Sequence, residues 1–291
     1  MAYRACGQRR DRRNSAMTQR DFHAKVVLIS GAAGGLGAAL CRRFAAAGAS
    51  IIAVDRDAAG LQHLPQMLAL DSARLLTLTT DVSDGSACRE AVSATLARFG
   101  RLDGLVNNAG ISHRSLLRDT DPETIRRVMA VNFFGALNLT HAALPSVLAS
   151  RGAIVAISSV AGFAPLIGRT GYAASKHALH GFFDSLRSEV EGQGVDVTLV
   201  CPSFISTGIA AAATDGSGAP ARTPRLVTGD ESSAAEVAAR IFDAVAAGRP
   251  LLLPDATSRK AWWLSRLAPG LYAKIMKRRL GAEFAGLQQT P

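Results

Sequence analysis

From Lys25 onward the chain alternates short, β-branched apolar runs with longer stretches of helical periodicity. That alternation constrains the fold more than any other feature. KVVLIS (25–30) precedes a helix over 35–47, SIIAVD (50–55) one over 58–69, and RLLTLTT (74–80) one over 84–99. LDGLVNN (102–108), GAIVAISS (152–159), VDVTLVC (195–201) and PLLLP (250–254) supply four more strand candidates. Strands that are apolar on both faces and separated by helices belong in a parallel sheet covered on each side. The expectation is one α/β domain, doubly wound, with a seven-stranded parallel sheet and helices on both faces. Its ligands should sit at the carboxyl ends of the strands, near the topological switch. Aromatic content of 5% beside abundant alanine and glycine suits helices packed closely on a sheet.

The catalytic domain is expected over 21–255, with a Ser-, Gly-, Ala-, Thr- and Pro-rich stretch at 203–233 read as a substrate lid, because structureless stretches of that length are usually functional or mobile. Residues 1–20 read as a disordered basic extension and 256–291 as a basic amphipathic helical extension. The net charge of +10 resides in these ends. Residues 1–20 carry six arginines against Asp11, and residues 256–282 carry seven bases and no acid. Taking both ends out of the totals leaves twenty bases against twenty-one acids for 21–255, so a nucleic-acid-binding face on the domain is not expected. The N-terminus is Arg-rich and acid-poor, loosely like an organelle transit peptide; a disordered extension, or a start at Met17, fits it better. No apolar stretch follows its arginines, so no secretory signal is expected, and no 18-residue apolar run suggests a membrane span. Cys6, Cys41, Cys88 and Cys201 show neither CxxC spacing nor a matching His cluster, so buried thiols in a reducing, cytoplasmic setting are expected and no metal site is.

Directly after the first strand comes Ser30-Gly31-Ala32-Ala33-Gly34-Gly35-Leu36-Gly37, leading at once into a helix. Glycines at 31, 35 and 37 allow a tight turn, close approach to a pyrophosphate and close helix packing. The helix N-terminus offers N–H groups to the anion. The spacing differs from GxGxxG but serves a Rossmann-like strand–loop–helix unit. The second strand ends at Asp55, where a carboxylate can accept from both ribose hydroxyls of NAD. A 2′-phosphate there would meet repulsion of about 4 kcal/mol per charge pair at ~4 Å and an effective dielectric near 20. NAD is therefore the expected cofactor. Arg56 follows immediately, as a solvated charge or as a group that admits NADP.

Tyr172-Ala173-Ala174-Ser175-Lys176, together with this loop, resembles the short-chain dehydrogenase/reductase family. Asp81-Val82, Asn107-Asn108-Ala109-Gly110, Asn132 in VNFFG and Ser159 in ISSVAG follow in family order over 25–207. The resemblance implies that Asp81 and Val82 contact the adenine, that Asn108, Ala109 and Gly110 line the cofactor, and that Pro202 and Thr207 touch the nicotinamide carboxamide. It implies that Tyr172 is the acid/base, that Ser159 steers the substrate oxygen, that Lys176 also holds the ribose, and that Asn132 holds a relay water. The family's usual Pro-Gly is Pro202-Ser203 here. The chemistry is intelligible apart from the family. Tyr and Lys at i and i+4 share a helix face, and bringing a tyrosine from about 10 toward 7 means favouring phenolate by roughly 4 kcal/mol, which an ammonium and a cationic nicotinamide do.

The tail AWWLSRLAPGLYAKIMKRRL reads as two short helices broken at Pro269-Gly270. Leu271, Tyr272, Ile275 and Met276 form one face; Lys274, Lys277 and Arg278 form another. Either this helix lies on an anionic membrane surface, or it packs over the substrate pocket or onto a partner subunit. NNAGISHR, YAASKHALHGFFDSLRSEV and RLAPGLYAKIM resemble the branch that includes the dehydrogenase/reductase member 7 proteins and, more distantly, the 11β-hydroxysteroid dehydrogenases. That likeness implies lipid-like ketones and alcohols as substrates and membrane association; Asp55 departs from the basic pocket of NADPH-using relatives. The family also implies a homodimer or homotetramer through helices over 121–149 and 172–191. The combined expectation is an NAD-preferring oxidoreductase for a hydrophobic secondary alcohol or ketone. The alternatives are an NADPH-dependent carbonyl reductase and a non-catalytic dinucleotide-binding protein recruited to membranes or partners.

Overall fold

Four apolar residues and a serine, Val26–Ser30 (β1), form an inner strand of a seven-stranded, all-parallel sheet. The computed structural model describes residues 19–206, 213–221 and 231–280. On one side of β1 the sheet continues through Ser50–Asp55 (β2) and Leu75–Thr79 (β3). On the other it continues through Gly104–Asn107 (β4), Ala153–Ile157 (β5), Asp196–Val200 (β6) and Leu251–Leu252. The chain reverses its direction of growth between β1 and β4, so a crevice opens at the carboxyl ends of that pair.

Alternate side chains serve two cores. Val27, Ile29, Ile51, Val106 and Val155 meet helices α1 (Gly35–Ala46), α2 (Ala58–Leu68) and α7 (Ala234–Ala246). Leu28, Ile52, Leu105, Ile154 and Leu199 meet α3 (Gly85–Phe99), α5 (Gly135–Ser150) and α6 (Thr170–Val190). Helix α4 (Pro122–Met129) packs along α6. The inner strands β1, β2, β4, β5 and β6 are buried on both faces, which explains why they read as continuous apolar runs, while edge strand β3 alternates.

Asp57, Asp84 and Asp121 cap α2, α3 and α4 through their side chains, and Ser233 with Glu236 forms a capping box on α7. α5, which continues from a π-helical turn, has no side-chain cap, and neither do α1 after Gly34 and α6 after Arg169, which both begin from loops. α1 and α6 start at the crevice.

The run Pro122–Ser150 is long and apolar enough by composition to cross a membrane, which qualifies the expectation of no such segment. Its apolar side chains Leu139, Ala143 and Val147 are buried in the second core. Within that run a π-helical turn, Ala130–Phe134, interrupts the α-helical ladder and carries Asn132. The described parts of 203–233 are stitched down. Ile205–Ser206 (β7) pairs with Ser232–Ser233 (β8), making Leu251–Leu252 β9, and Thr214 bridges to His113 and Pro220. Thr207, Cys6 and Met17 lie outside the described residues. Cys41, Cys88 and Cys201 are buried free thiols.

Helices α8 (Ala256–Leu267) and α9 (Pro269–Leu280) follow the last strand. Ala261 and Tyr272 pack with Ala164, and Trp262 meets Phe163 edge to face at 4.8 Å.

Candidate active site

The crevice is a cleft of about 540 Å³ that runs from the glycine loop, across the ends of β1, β2, β4 and β5, to Tyr172. Gly31 has φ of +66°, and a Cβ there would come within 2.9 Å of the Ala109 Cα. At Gly37 a Cβ would stand 1.8 Å from the Gly31 carbonyl oxygen, so this glycine lets α1 pack on the loop and does not itself line the cleft. Gly31, Gly35 and Leu36 do line it, beneath the uncapped start of α1. That arrangement suits a pyrophosphate: free N–H groups at a helix N-terminus with no side chain in competition.

Two side chains hold the loop to β4. Ser30 Oγ accepts from the backbone N–H groups of Asn108 (3.0 Å) and Ala109 (3.1 Å). Asn108 Nδ2 donates to the carbonyls of Ser30 (2.9 Å) and Gly31 (3.1 Å). Asp55 lies at the end of β2, where Oδ2 accepts from Ala33 N (2.9 Å) and Oδ1 from Asp57 N (3.0 Å). Each oxygen keeps a further lone pair for a ribose hydroxyl. Arg56 and Asp57 stand beside it on the cleft wall.

Asp81 and Val82 line the same end. The hydroxyl of Ser83 donates to Asp81 at 2.7 Å and holds its carboxyl below the usual range, with Arg56 and Arg127 acting in the same direction. Val82 packs so closely on the start of α5 that a Cβ at Gly135 would lie 2.6 Å from its Cγ2, which accounts for the glycine of VNFFG.

At the opposite end Tyr172, Lys176 and Ser159 converge on the cleft with Gly110 and Pro202. Lys176 is 3% exposed, and its Nζ donates to the Ile157 carbonyl at 2.8 Å and sits 5.7 Å from the Tyr172 ring centroid. Burial pulls its pKa down to about 8. Ser159 begins the short turn Val160–Gly162, and its Oγ accepts from Ala161 N at 3.2 Å, leaving the hydroxyl proton to donate.

Asn132 lies behind the wall rather than on it. Its Oδ1 accepts from Ile111 N (2.8 Å), while its Nδ2 donates to Ile111 O (3.0 Å) and Ser175 Oγ (2.9 Å). A π turn is a common way to aim one side chain out of helical register, and here it fixes the loop that carries Gly110.

The structure adds groups that sequence reasoning passed over. Arg114 and Arg169 line the cleft and are 8% and 7% exposed. His113 accepts from the Gly171 N–H at 3.0 Å, one residue before Tyr172, and its Nδ1 meets Ser115 Oγ at 3.1 Å. Burial, and then the charge of Arg169, lower its pKa. Ser203 also lines the cleft. No local pattern distinguishes His113, Arg114 and Arg169 from ordinary loop polars; their signal was proximity to Gly110 and Tyr172 in sequence, whereas Ser203 was marked by its departure from the family's Pro-Gly.

A family profile for short chain dehydrogenases matches residues 25–218. The chain belongs to the short-chain dehydrogenase/reductase family. It is 40% identical over 266 residues to a bovine (Bos taurus) protein named dehydrogenase/reductase SDR family member 7B, covering 89% of this chain and 82% of that one. It is 38% identical over 267 residues to the Anopheles gambiae dehydrogenase/reductase SDR family protein 7-like, covering 89% and 84%. Among solved structures it is similar to a short-chain dehydrogenase/reductase from Burkholderia phymatum crystallised in complex with NAD. That match has a TM-score of 0.72 and 26% identity, and covers 94% of this chain and 98% of the other. This short-chain dehydrogenase/reductase is an NAD(P)-dependent oxidoreductase, and its cleft is lined by an uncapped helix start, a glycine turn and the carboxylate of Asp55.

Proposed function

We propose that this protein is an NAD-preferring dehydrogenase for a hydrophobic secondary alcohol or its ketone. The observation that carries the reading is the convergence of Tyr172, Ser159 and the buried, anchored Lys176 at one end of the dinucleotide cleft. Bound nicotinamide supplies or accepts the hydride. Gly31, Gly35 and Leu36 hold the pyrophosphate, Asp55 the ribose hydroxyls, Asp81 and Val82 the adenine, and Asn108 to Gly110 with Pro202 the remaining wall. Ser159 donates a hydrogen bond to the substrate oxygen and orients it. Tyr172 exchanges the proton with that oxygen, assisted by the Lys176 ammonium. Asn132 keeps the wall at Ile111 fixed, as a positioning residue.

The test is turnover on a panel of secondary alcohols and ketones, followed by nicotinamide absorbance. Tyr172→Phe is expected to lose nearly all of it while still binding NAD; undiminished turnover overturns the mechanism. Wild-type protein that binds cofactor and turns over nothing on a broad panel would favour a non-catalytic dinucleotide-binding role.

Arg56 on the cleft wall favours a second reading, an NADPH-dependent carbonyl reductase. Comparing NADH and NADPH affinities in wild type and in Asp55→Ala separates the two. The exposed Trp263, Leu267 and Leu271 among the bases of α8 and α9 support peripheral contact with an anionic membrane. Flotation with liposomes, with and without residues 256–291, tests it. Phe134, half exposed at the start of α5, supports a homodimer or homotetramer through the outer faces of α5 and α6, measurable as solution mass.

A further inference from the structure

We infer that Asp255 and Ser203 form a clasp by which the C-terminal helices hold the cofactor wall in place, making Asp255 a positioning residue for cofactor binding. Asp255 is the N-cap of α8 and is 8% exposed. One carboxylate serves three donors. Oδ1 accepts from Ser203 Oγ (2.7 Å) and from Ser258 N (2.7 Å), and Oδ2 accepts from Ser203 N (3.0 Å). Capping α8 needs only the Ser258 contact. The other two bonds reach 52 residues back along the chain, to a residue on the cleft wall.

The effect does not stop at Ser203. The carbonyl of the preceding Pro202, also on the wall, accepts from Val160 N at 3.0 Å. Val160 follows Ser159, and the turn it begins is covered from outside by α8 and α9 through Phe163, Ala164 and Trp262. The C-terminal helices therefore grip both loops that flank the substrate end, one by hydrogen bonds and one by apolar packing.

The serine is where this chain departs from the family's Pro-Gly. A glycine at 203 could supply the N–H donor but not the hydroxyl. The shorter of the two bonds is thus available only to a hydroxyl residue here, and a hydroxyl on a buried carboxylate is a charge-assisted bond, about twice as strong as a neutral one.

The inference rests on the cofactor's nicotinamide end lying against Pro202, as proposed above. Its test needs no substrate: NADH affinity by fluorescence titration, with melting temperature measured in parallel. The proteins are wild type, Ser203→Ala, Asp255→Asn, the double variant, and Ser258→Ala as a variant that weakens only the helix cap. Ser203→Ala and Asp255→Asn are each expected to weaken NADH by about tenfold, the size of one hydrogen bond to a charged group. The double variant should be no weaker than the worse single one, and Ser258→Ala should leave NADH affinity unchanged while lowering the melting temperature. Undiminished affinity in Ser203→Ala overturns the clasp while leaving the cofactor site standing. So does a loss in Ser258→Ala equal to that in Asp255→Asn, which would make Asp255 a helix cap and nothing more. If Asp255→Asn does not fold, Ser203→Ala decides alone. A wild-type protein that binds no NADH overturns both the clasp and the reading of the cleft.

Discussion

Lys176 donates from Nζ to the carbonyl oxygen of Ile157 at 2.8 Å, so its ammonium is pinned to the end of β5 and cannot wander from Tyr172. Burial has lowered its pKa to about 8, which places loss of the charged form within reach of mild alkali. In the ligand-free protein, NADH affinity should decline as pH rises through about 8, and Lys176→Arg should move that decline to higher pH. Fluorescence titration between pH 7 and 9.5 measures it; a flat profile refutes the assignment.

Gly37 and Gly34 make a matched pair of substitutions. A Cβ at Gly37 meets the backbone oxygen of Gly31 at 1.8 Å, whereas one at Gly34 meets nothing within 4 Å. Gly37→Ala should abolish cofactor binding and cost about 1–3 kcal/mol or more of stability, as overpacking against backbone does. Gly34→Ala should leave stability little changed. Urea unfolding alongside NADH titration distinguishes them.

Removing the side chain of Asn132 strands both backbone groups of Ile111. Asn132→Ala should lower stability by about 2 kcal/mol, the usual cost of leaving buried polar groups unsatisfied. It should also weaken cofactor binding through Gly110. Asn132→Asp keeps the acceptor for Ile111 N but loses both donors, so it should rescue neither fully. Equal stability of wild type and Asn132→Ala would remove the residue from the site.

His180 is held neutral between Ser158 and Cys201, with burial taking its pKa to about 4. Because the folded-state value lies below the ordinary 6.5, the unfolded chain binds the extra proton first. The stabilisation is present above about 6.5 and is lost as pH falls toward 4. His113, also lowered, acts in the same direction. The melting temperature should drop between pH 6.5 and 4.5, and His180→Gln should flatten part of that drop. An unchanged slope in the variant would point to other groups.

What could be read in the chain was whatever is local in sequence. The strand–glycine–helix unit, Tyr172 with Lys176, and Asp55 at a strand end each depend on residues within a turn or a strand of one another, so spacing carries them. The helices expected over 35–47, 58–69 and 84–99 end within a residue of α1, α2 and α3, because Asp57 and Asp84 cap the starts of two of them and the positive-φ glycines Gly48 and Gly100 follow the ends of two. Asn132 is different. Nothing in VNFFG announces a π turn, since the turn is stabilised by Ile111 and Ser175, which are distant in sequence. His113, Arg114 and Arg169 gained their places through the backbone pairing of 113–115 with Gly168 and Thr214, and the Ser203–Asp255 contact joins residues that only the closed sheet brings together. The pairing of Ile205–Ser206 with Ser232–Ser233 was hidden for the same reason, being two residues long on each side.

The stitching of β1 to β4 by Ser30 and Asn108 has an energetic consequence for ligand capture. A cradle whose backbone is tied by four hydrogen bonds before the dinucleotide arrives has little conformational entropy left to surrender on binding. Encounter at the pyrophosphate end should therefore be a single fast phase in stopped-flow fluorescence, its rate proportional to NADH concentration and free of a plateau.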